Sequence, residues 1–507
     1  MTQTLSPLDG RYSAQVAPLL DYFSEQALNR ARLQVEIEWL ILLCNGLNPT
    51  PTPSSCSSAT LTPSSCSSAT PTPSSCGPRN EGSQDLLRAD EKRIPLIPGA
   101  PKLSQNETAN LRQIVTDFND AEAKKLAAIE SETKHDVKAI EYYIVNKLAD
   151  IAPQIPAELV HFAFTSEDVN NLSYALNIKN ALQKVWLPAA ISLVDKLTSL
   201  AQATAEIPML SRTHGQPASP TTMGKELAVT ALRLRRQIAR VQNDEILGKS
   251  NGATGTFGAH LAGVPHTDWL AVSQAFVTGL GLEWNPVTTQ IEPHDWQSEV
   301  FEDVARFGRI LHNLATDIWT YISLGYFTQI PVPGATGSST MPHKINPIRF
   351  ENAEANLEIS DALFRSLSTT LVTSRLQRDL TDSTTQRNVG VAFGHSLLAI
   401  DNILKGLGQI QANAALMAED LNNNWEVLAE PIQTVMRAAA VAGVPGMANP
   451  YERLKNLSRG HKLTPEDMRE FVLSLELPKA DEERLLNLTP ATYTGIAKDL
   501  VDRFLLP

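Results

Sequence analysis

The chain has 507 residues, of which 42% are hydrophobic, and its formal net charge is −12 at pH 7. This length suggests roughly two to four domains around a sizeable core. The acidic balance argues against general nucleic-acid binding, and no apolar run reaches the ~18 residues that a membrane span needs. An anionic substrate would therefore need a local basic pocket.

The N-terminus and the cysteines indicate a reducing, cytoplasmic setting. Residues 1–10 lack the basic-then-apolar pattern of a signal peptide. The four cysteines, Cys44, Cys56, Cys66 and Cys76, form no Cys-x-x-Cys pair, and three of them lie in one repetitive tract. This arrangement indicates neither a disulfide framework nor a zinc site.

A low-complexity tract interrupts the first helical segment. That segment begins with a turn at Asp9-Gly10, and its helical pattern continues through Leu43. From about 48 to 101 the composition shifts, and Thr-Pro-Ser-Ser-Cys recurs with a ten-residue period. This polar tract cannot bury enough apolar surface to fold, so we expect an exposed, disordered insertion without a catalytic role. Long surface insertions cost little entropy, so we expect it to loop out.

Two polar segments follow the tract. The helical pattern that resumes near Ser104 leads to His135-Asp136, and such a pair in a helix is commonly a half-exposed polar step. Thr165 and Ser166, with Asp168, predict a helix N-cap with acidic residues in the first turn. The same hydroxyl and N–H groups could instead hold a substrate anion. The residues alone leave both interpretations open.

Three long amphipathic stretches predict a helical bundle. Apolar residues recur every three or four positions from Leu182 to Leu200, from Leu227 to Val241 and from Val300 to Ile322. Stretches of ~20–30 residues with this period are typical of bundle helices. Strand-like alternation is scarce, so we predict an all-α fold and assign these apolar stripes to its core.

His214 lies in a loop between the first two stretches. Ser219-Pro220 predicts a helix N-cap with proline in the first turn, so His214 would precede a helix N-terminus, where anions are favoured. A lone loop histidine is usually just a polar side chain. The neighbouring Arg212, Thr213, Gly215 and Gln216 strengthen the case for a catalytic role.

Two further loops lack the pattern of a phosphate loop or a metal site. Gly252-x-x-Gly255-x-x-Gly258 does not follow a predicted strand and lacks the Gly-x-Gly spacing, so we predict a helix-to-helix turn. The segment 290–295 contains His294 but no His-x-x-x-His pair. We interpret it as a polar loop.

A hydroxyl-rich, cationic loop spans residues 333–347. It contains Gly-Ser-Ser at 337–339 and Lys344, and Asn346-Pro347 predicts a helix start with Asn as N-cap. Unpaired N–H groups at such a place favour an anion. Gly-Ser-Ser alone would indicate only a surface loop.

Three arginines, Arg375, Arg378 and Arg387, lie within 13 residues that also carry several hydroxyls. One interpretation is a solvated face with i,i+4 ion pairs. The other is a clamp for phosphate or carboxylate, which arginine binds through two parallel hydrogen bonds. The hydroxyls beside the arginines favour the clamp.

The full string at 337–347, Gly-Ser-Ser-x-Met-Pro-x-Lys-x-Asn-Pro, resembles the signature of the aspartase/fumarase superfamily, the lyases that release fumarate. Arg-Thr-His-Gly-Gln-Pro-Ala at 212–218 is similar to the version in the adenylosuccinate lyase family. Fumarases, aspartases and argininosuccinate lyases carry Thr-His-Leu-Gln there. The resemblance is to the bacterial branch, covers about 9–501 outside the low-complexity tract, and includes further segments at 134–139, 164–171, 290–295, 378–383 and 424–437.

This resemblance implies a three-domain, all-α aspartase/fumarase-like fold with a central long helical bundle. The first implied domain, residues 1–154, is helical and contains the insertion at about 48–101. The second, residues 155–407, is the central helical bundle. The third, residues 408–507, is C-terminal and helical. The family also implies a homotetramer whose active sites draw on loops of three subunits. No metal, organic cofactor, nucleic-acid partner or membrane partner is implied.

The implied reaction is elimination of fumarate from adenylosuccinate to give AMP. The same site would cleave SAICAR, the succinylated aminoimidazole carboxamide ribotide, to AICAR in purine biosynthesis. Such an elimination needs a base for the proton next to a carboxylate, an acid for the departing nitrogen and stabilisation of the developing charge. By resemblance Ser338 is the base and His214 is the acid.

The other residues carried over by resemblance would bind substrate. Lys344 and Asn346 would hold the succinyl carboxylates, and Lys344 could also stabilise the serine oxyanion. The positions that match nucleotide and phosphate contacts are Arg11, Tyr12, Arg378, Ser383 and Arg387. The remaining implied contacts are His135 and Asp136 as a second His-Asp site, Lys134 as their neighbour, and Thr165, Ser166, Gln290, Ser339, Ile345, Asn352 and Thr384.

Two other functions are alternatives to adenylosuccinate cleavage. The first is another fumarate-releasing lyase such as argininosuccinate lyase, and the Thr-His-Gly-Gln loop and the arginine cluster speak against it. The second is a non-catalytic, lyase-like scaffold. That alternative would be expected to have lost the acid, the base or the lysine, and His214, Ser338 and Lys344 are all present.

Overall fold

A computed structural model describes residues 4–47, 94–331, 334, 341, 344–458 and 463–505. Helices dominate these residues, and the strands form three separate two-stranded pairs. The all-α prediction is therefore confirmed, with short strand pairs added to it. None of the helices in the described ranges is long and apolar enough to cross a bilayer.

The N-terminal helices pack around their own hydrophobic cluster, which includes Leu33, Ile37, Leu111, Ile140 and Ile144. Local signals fix several ends, as at Ser104, where a capping box with Glu107 begins a helix. These helices are α1 (Ser13–Val16), α2 (Leu20–Phe23), α3 (Glu25–Asn45), α4 (Gln105–Thr116), α5 (Asp120–Thr133) and α6 (Asp136–Ile151), with 3-10 turns at Ala17–Leu19 and Ala157–Leu159.

Most of the predicted insertion, residues 48–93, lies outside the described residues. Its last part, 94–101, is described and returns to the folded chain. The backbone N–H of Leu96 donates to the carbonyl of Leu43 at 2.9 Å. Ile97 is partly buried against two hydrophobic clusters. Residues 94–101 therefore belong with the N-terminal helices, and the predicted boundary near 101 is too late.

Long helices form the central bundle and bury the largest hydrophobic cluster, as the apolar stripes predict. The helices α12 and α13 lie antiparallel, since Trp319 contacts Glu351 and Ser298 contacts Ser368. The helices of this region are α7 (Ser166–Ala181), α8 (Leu187–Ala203), α9 (Met223–Asn243), α10 (Gly258–Gly263), α11 (Trp269–Gly279), α12 (Asp295–Ser323), α13 (Ile348–Leu371), α14 (Thr381–Gln386) and α15 (Val389–Leu407).

A π-helical segment, Leu182–Trp186, joins α7 to α8 into one continuous run. Pro188 is the second residue of α8 and lies in its first turn. Proline lacks an N–H and clashes with the carbonyl four residues earlier in a regular helix, and the wider turn accommodates it. The three pieces contain 16, 5 and 17 residues. At 1.5 Å per residue they span about 57 Å.

The strands are short. They are β1 (Pro208–Thr213), β2 (Gln216–Thr222), β3 (Leu247–Gly248), β4 (Glu283–Trp284), β5 (Phe327–Gln329) and β6 (Ile410–Ala412). The pairs β1–β2 and β5–β6 are antiparallel, whereas β3–β4 is parallel. The predicted turn at 252–258 follows β3 and leads into α10.

The prediction of a helix start at Ser219-Pro220 is wrong, because both residues lie in β2. The β1–β2 register shifts between Met209 and Ser211, so Pro220 falls at a bulge, where a missing N–H costs no ladder hydrogen bond. The helix α9 begins only after Thr222, whose hydroxyl accepts from the N–H of Lys225 at 3.2 Å.

The predicted helix start at Asn346-Pro347 is displaced by one residue. The N-cap of α13 is Pro347, with no side-chain capping bond, and the carbonyl of Pro347 accepts from the N–H of Phe350 at 3.0 Å. Proline therefore sits before the first helical residue rather than on it.

The C-terminal helices pack around a third cluster that includes Leu428, Ile432, Met436, Met468 and Val472. They are α16 (Ala414–Asn422), α17 (Ala429–Val441), α18 (Pro450–Ser458), α19 (Pro465–Leu473), α20 (Lys479–Leu486) and α21 (Ala497–Phe504), with a 3-10 turn at Trp425–Leu428. The last helix, α21, returns to α8 and α9 and buries Val501 against the bundle cluster.

Candidate active site

His135 and Asp136 lie at the start of α6. His135 is the N-cap, and its Nδ1 accepts from the backbone N–H of Lys138 at 3.2 Å. The Oδ2 of Asp136 lies 2.6 Å from Nη2 of Arg32. Burial raises the pKa of Asp136, but Arg32, a backbone N–H and His135 lower it by more, so it lies below its ordinary value. Lys134 ends α5 in a left-handed conformation and is exposed.

Arg32 joins this His-Asp pair to the arginine cluster. Its Nε donates to Oδ1 of Asn170 at 2.9 Å, and Asn170 donates to Oε1 of Glu167 at 3.0 Å. The same Oε1 lies 2.8 Å from Nη2 of Arg378. This network is largely buried, so it fixes the starts of α6 and α7 and the segment before α14 relative to one another.

The other two arginines differ in their partners. Arg387 reaches towards the same network, with Nη1 3.5 Å from Oε2 of Glu25 and Nη2 4.0 Å from Oδ2 of Asp136. Arg375 pairs with Asp379, four residues on, at 3.1 Å, as the solvated-face interpretation predicts. The structure therefore brings Arg378 and Arg387 together with the His-Asp pair and leaves Arg375 on its own loop.

The predicted N-cap at Thr165 is confirmed, and Asp168 holds it in place. The N–H of Thr165 donates to Oδ2 of Asp168 at 2.8 Å. The Oδ1 of Asp168 accepts from two backbone N–H groups of the turn at 251–253, at 3.0 and 3.3 Å. Gln290 donates to the last carbonyl of that turn at 3.0 Å. Asp168 and Gln290 thus both contact this turn, and Thr165 and Ser166 lie close to Asp168 at the start of α7.

The short helix α14 carries Ser383 and Thr384, and Arg387 follows it. The N–H of Ser383 donates to Oδ1 of Asp382 at 2.7 Å. The other carboxylate oxygen, Oδ2, lies 3.5 Å from Nε2 of His294, the N-cap of α12. The position of α14 is therefore tied to the start of α12.

Tyr12 and Asn352 meet although they are far apart in sequence. The Nδ2 of Asn352 donates to the hydroxyl of Tyr12 at 3.2 Å, and its Oδ1 accepts from Asn402 at 2.9 Å. The guanidinium of Arg11 lies 5.9 Å from the centre of the Tyr12 ring, and Arg11 is exposed. These contacts place the N-terminal segment beside α13 and α15.

His214 lies at the tip of the β1–β2 hairpin and is exposed. His214 and Gly215 have φ values of 54° and 74°, as the two central residues of a type I′ turn require. The hairpin is anchored by Arg212, whose Nη2 lies 2.6 Å from Oδ2 of Asp420. Asp420 also accepts from the hydroxyl of Tyr326, which follows α12.

The serine loop is only partly described, and Ser338 and Ser339 lie outside the described residues. At the end of this loop, Lys344 and Ile345 are exposed and Asn346 is half-buried. The carbonyl of Ile345 accepts from Nε2 of Gln329 at 2.5 Å. Lys344 is therefore held close to β5, just beyond the end of α12.

The candidate residues fall at the two ends of the bundle. The Thr165 end comprises the starts of α6, α7 and α12 together with α14. The His214 end comprises the β1–β2 hairpin, the end of α12 and the start of α13. The continuous run from α7 to α8 spans about 57 Å, and Thr165 and His214 lie beyond its opposite ends.

The sequence predictions did not include Arg32, Glu167 or the partnership of His294 with Asp382. A signal for Arg32 exists, because α3 is almost continuously buried and yet carries charged residues in an apolar run. Such charges need partners. Among the residues that the structure describes, no group of histidine, cysteine and carboxylate side chains has the arrangement of a metal site.

Two family models match the chain. The model described as "Lyase" matches residues 90–358, and the model described as "Adenylosuccinate lyase C-terminal" matches residues 374–494. Two solved structures share the fold. Fumarate lyase from Mesorhizobium sp. BNC1 is 18% identical with a TM-score of 0.69, covering 96% of this chain and 97% of that chain. The 3-carboxy-cis,cis-muconate lactonizing enzyme from Pseudomonas putida is 19% identical with a TM-score of 0.66, covering 96% of both chains.

The helical bundle, its fold neighbours and the lyase model define a member of the fumarase-type lyase superfamily. Similar proteins of known name show to which family within this superfamily the chain belongs. Adenylosuccinate lyase of Haemophilus influenzae is 45% identical over 500 residues, with 98% of each chain covered, and that of Escherichia coli K12 is 43% identical over the same shares. The enzyme of Legionella pneumophila strain Corby is 42% identical, covering 99% of this chain and 98% of its own length. The chain belongs to the adenylosuccinate lyase family, whose members are carbon–nitrogen lyases.

Proposed function

We propose that the chain is a cytoplasmic, homotetrameric enzyme that eliminates fumarate from adenylosuccinate to give AMP, and that it also converts SAICAR to AICAR. The observation that carries this proposal is the full-length relationship to adenylosuccinate lyases at 42–45% identity. The retention of His214, Ser338 and Lys344 supports an active enzyme over a non-catalytic scaffold. The Thr-His-Gly-Gln turn supports this substrate over argininosuccinate.

In the proposed mechanism the acid and the base act on opposite sides of one C–N bond. Ser338 takes the proton from the succinyl carbon next to the carboxylate, and the electron pair forms the double bond of fumarate. The C–N bond breaks, and His214 protonates the departing nitrogen. The exposed left-handed position of His214 at a hairpin tip supports this role, because a substrate can reach its imidazole.

Charge stabilisation is assigned to Lys344 and Asn346, which would hold the succinyl carboxylates. A cation close to the carboxylate lowers the energy of the negative charge that develops as the proton leaves. Lys344 lies at an exposed position just beyond β5, so its ammonium group can turn towards a bound dianion. Ser339 and Ile345 complete this part of the proposed site.

The nucleotide would lie at the Thr165 end. We assign its phosphate to Arg387 and Ser383 on and after α14, with Arg378 and Thr384 beside them. Asp136, next to His135, pairs with Arg32 and lies 4.0 Å from Arg387. Thr165 and Ser166 lie at the start of α7, and Gln290 contacts the turn at 251–253 that Asp168 holds. Arg11, Tyr12 and Asn352 would contact the nucleotide from another subunit, because they lie beside α13 at the His214 end.

A shared active site follows from this assignment. The two groups of candidate residues lie about 57 Å apart along α7 and α8, and a mononucleotide substrate is far shorter. Assembly of several copies would let the Thr165 end of one subunit meet the His214 end of another. We therefore propose that each active site draws on three subunits of a homotetramer, and that a lone subunit is inactive.

A spectrophotometric assay tests the reaction. The purified protein should convert adenylosuccinate to AMP and fumarate, and Ser338→Ala should lower kcat by about 10²- to 10⁴-fold. The same preparation should not act on argininosuccinate. An assembled tetramer without activity on adenylosuccinate or SAICAR would refute the proposal.

A further inference from the structure

The buried side chains of His294 and Asp382 face each other, and each has one polar atom without a hydrogen-bond partner among the described residues. His294 is 1% exposed and Asp382 is 6% exposed. The Nε2 of His294 and the Oδ2 of Asp382 lie 3.5 Å apart, and neither atom has a hydrogen-bond partner among the described residues. A buried polar atom without a partner bears the full cost of its lost hydration, so such a pair calls for an explanation.

The backbone of His294 is also unusual. Its φ is 65°, in the left-handed region that residues other than glycine avoid. Its N–H donates to Oε2 of Glu292 at 2.8 Å, and its Nδ1 lies 3.3 Å from Nε2 of Gln297. Glu292 in turn accepts from Asn285 at 2.9 Å. These contacts hold the imidazole at one fixed place, at the start of the longest bundle helix.

Asp382 belongs to α14, which is six residues long and packs against α13. Its Oδ1 accepts from the N–H of Ser383 at 2.7 Å, and Gln386 donates to Oε1 of Gln297 at 3.3 Å. Because Ser383 lies in the same short helix and Arg387 directly follows it, a change in the distance between Asp382 and His294 would move both of them. A shift of α14 by about 0.5 Å would close the pair to an ordinary hydrogen bond.

We propose that His294 is a positioning residue for the phosphate of the substrate. Its Nε2–H holds the carboxylate of Asp382, and through Asp382 it sets α14 so that Ser383 and Arg387 meet the phosphate. Binding of the phosphate draws α14 inward and closes the His294–Asp382 hydrogen bond. This inference rests on the proposed function, because that proposal assigns the phosphate to Ser383 and Arg387.

The test compares ligands with and without the phosphate. His294→Gln should weaken the binding of AMP about 10-fold in titration calorimetry and leave the binding of adenosine unchanged. In kinetics it should raise KM for adenylosuccinate about 10-fold, with kcat within about 3-fold. The kcat/KM for succinyladenosine, the same substrate without its phosphate, should not change.

A matched control exists on the same helix. His312 also belongs to α12, and its Nε2 lies 3.5 Å from Oε1 of Glu358, but that carboxylate side chain is exposed. His312→Gln should leave the binding of AMP and adenosine and all of the kinetic constants unchanged. Asp382→Asn keeps the shape of the carboxylate and should reproduce the phosphate-specific loss, so it decides the matter if His294→Gln does not fold.

Two results would overturn the inference. One is an equal loss for AMP and adenosine, which would indicate a general structural role, and the other is no loss for AMP. Both are separable from failure of the proposed function, because calorimetry with AMP needs no turnover. A wild-type protein that binds AMP but does not cleave adenylosuccinate would refute the reaction and still test His294.

Discussion

Asp168 and Lys249 form an ion pair in which Oδ1 and Nζ lie 2.9 Å apart and neither side chain is exposed. The ammonium also donates to the carbonyl of Gly252 at 3.3 Å. Asn171 accepts from the N–H of Lys249 at 2.9 Å and donates to its carbonyl at 3.1 Å. The start of α7, with Thr165 beside it, is thereby fixed to the turn that Gln290 contacts.

Removing one partner of this pair should be costly. Lys249→Met leaves the Asp168 carboxylate buried without its cation, so we expect a loss of about 3–5 kcal/mol in the free energy of unfolding. Urea denaturation followed by circular dichroism measures this change. Lys225→Met is the control, because Lys225 pairs with Glu226 at 3.0 Å and both side chains are partly exposed to solvent, so this variant should lose no more than about 1 kcal/mol. Similar losses in the two variants would contradict the prediction.

The sequence predicted this region only in part. Thr165 and Asp168 could be assigned to a helix start because the signal is local, three residues apart. The partners of Asp168 could not be predicted, since Lys249 is far away in sequence and a lone lysine usually indicates solvent exposure. The contact of His294 with Asp382 was missed for the same reason.

We expect the buried side chain of His260 to make the folded protein less stable as the pH falls below neutral. It is fully buried among Trp39, Phe257 and Trp269. Burial is the main cause that lowers the pKa of His260 from 6.5 to about 4, and Asp168 opposes this shift. Between pH 6.5 and 4 the unfolded chain therefore binds a proton that the folded chain does not. The free energy of unfolding should therefore fall by up to about 3 kcal/mol through His260 as the pH drops through this range.

The variant His260→Phe isolates this contribution, since phenylalanine fits the aromatic surroundings and cannot titrate. Between pH 7 and pH 5, the urea concentration at the midpoint of unfolding should fall less in the variant than in the wild type. His266→Gln, at an exposed position on the following turn, should behave as the wild type does. A wild type and a His260→Phe variant with parallel pH profiles would show that His260 does not titrate as expected.

The inactive variants His135→Gln and His214→Gln should regain activity when their subunits assemble into mixed tetramers. His135 lies at the Thr165 end of the bundle and His214 lies beyond the opposite end of α8, so the proposed sites take them from different subunits. His135→Gln and His214→Gln should each be nearly inactive. Mixed, dissociated in urea and reassembled, they should form some sites with both native histidines. Activity of the mixture well above either parent is the expected result.

The matched control reassembles each variant alone by the same procedure, and these samples should stay inactive. A mixture that remains as inactive as its parents, although hybrid tetramers form, would place both histidines in one subunit. That result would also conflict with the length of the α7–α8 run.

The hairpin that carries His214 shows where local sequence signals fail. Ser219-Pro220 has the composition of a helix start, but Thr222 offers the same capping hydroxyl three residues later. Pro220 is tolerated in β2 because it falls at a bulge of a two-stranded pair. The bundle helices were predicted well, since their apolar period repeats over many turns and a single proline or hydroxyl does not outweigh it.

Within the arginine cluster, we expect Arg387 to bind the substrate phosphate and Arg375 not to bind it. Arg387 is half-exposed, and its partners Glu25 and Asp136 lie at 3.5 and 4.0 Å, so it can turn to a phosphate at little cost. Arg387→Gln should raise KM for adenylosuccinate by about 10- to 100-fold, because a charge-assisted hydrogen bond contributes about 1.5–3 kcal/mol. Arg375→Gln is the matched control, since Arg375 is exposed and its ion pair is with Asp379, four residues further along the chain. Steady-state kinetics should show an unchanged KM for Arg375→Gln, and equal effects in the two variants would support the original three-arginine clamp instead.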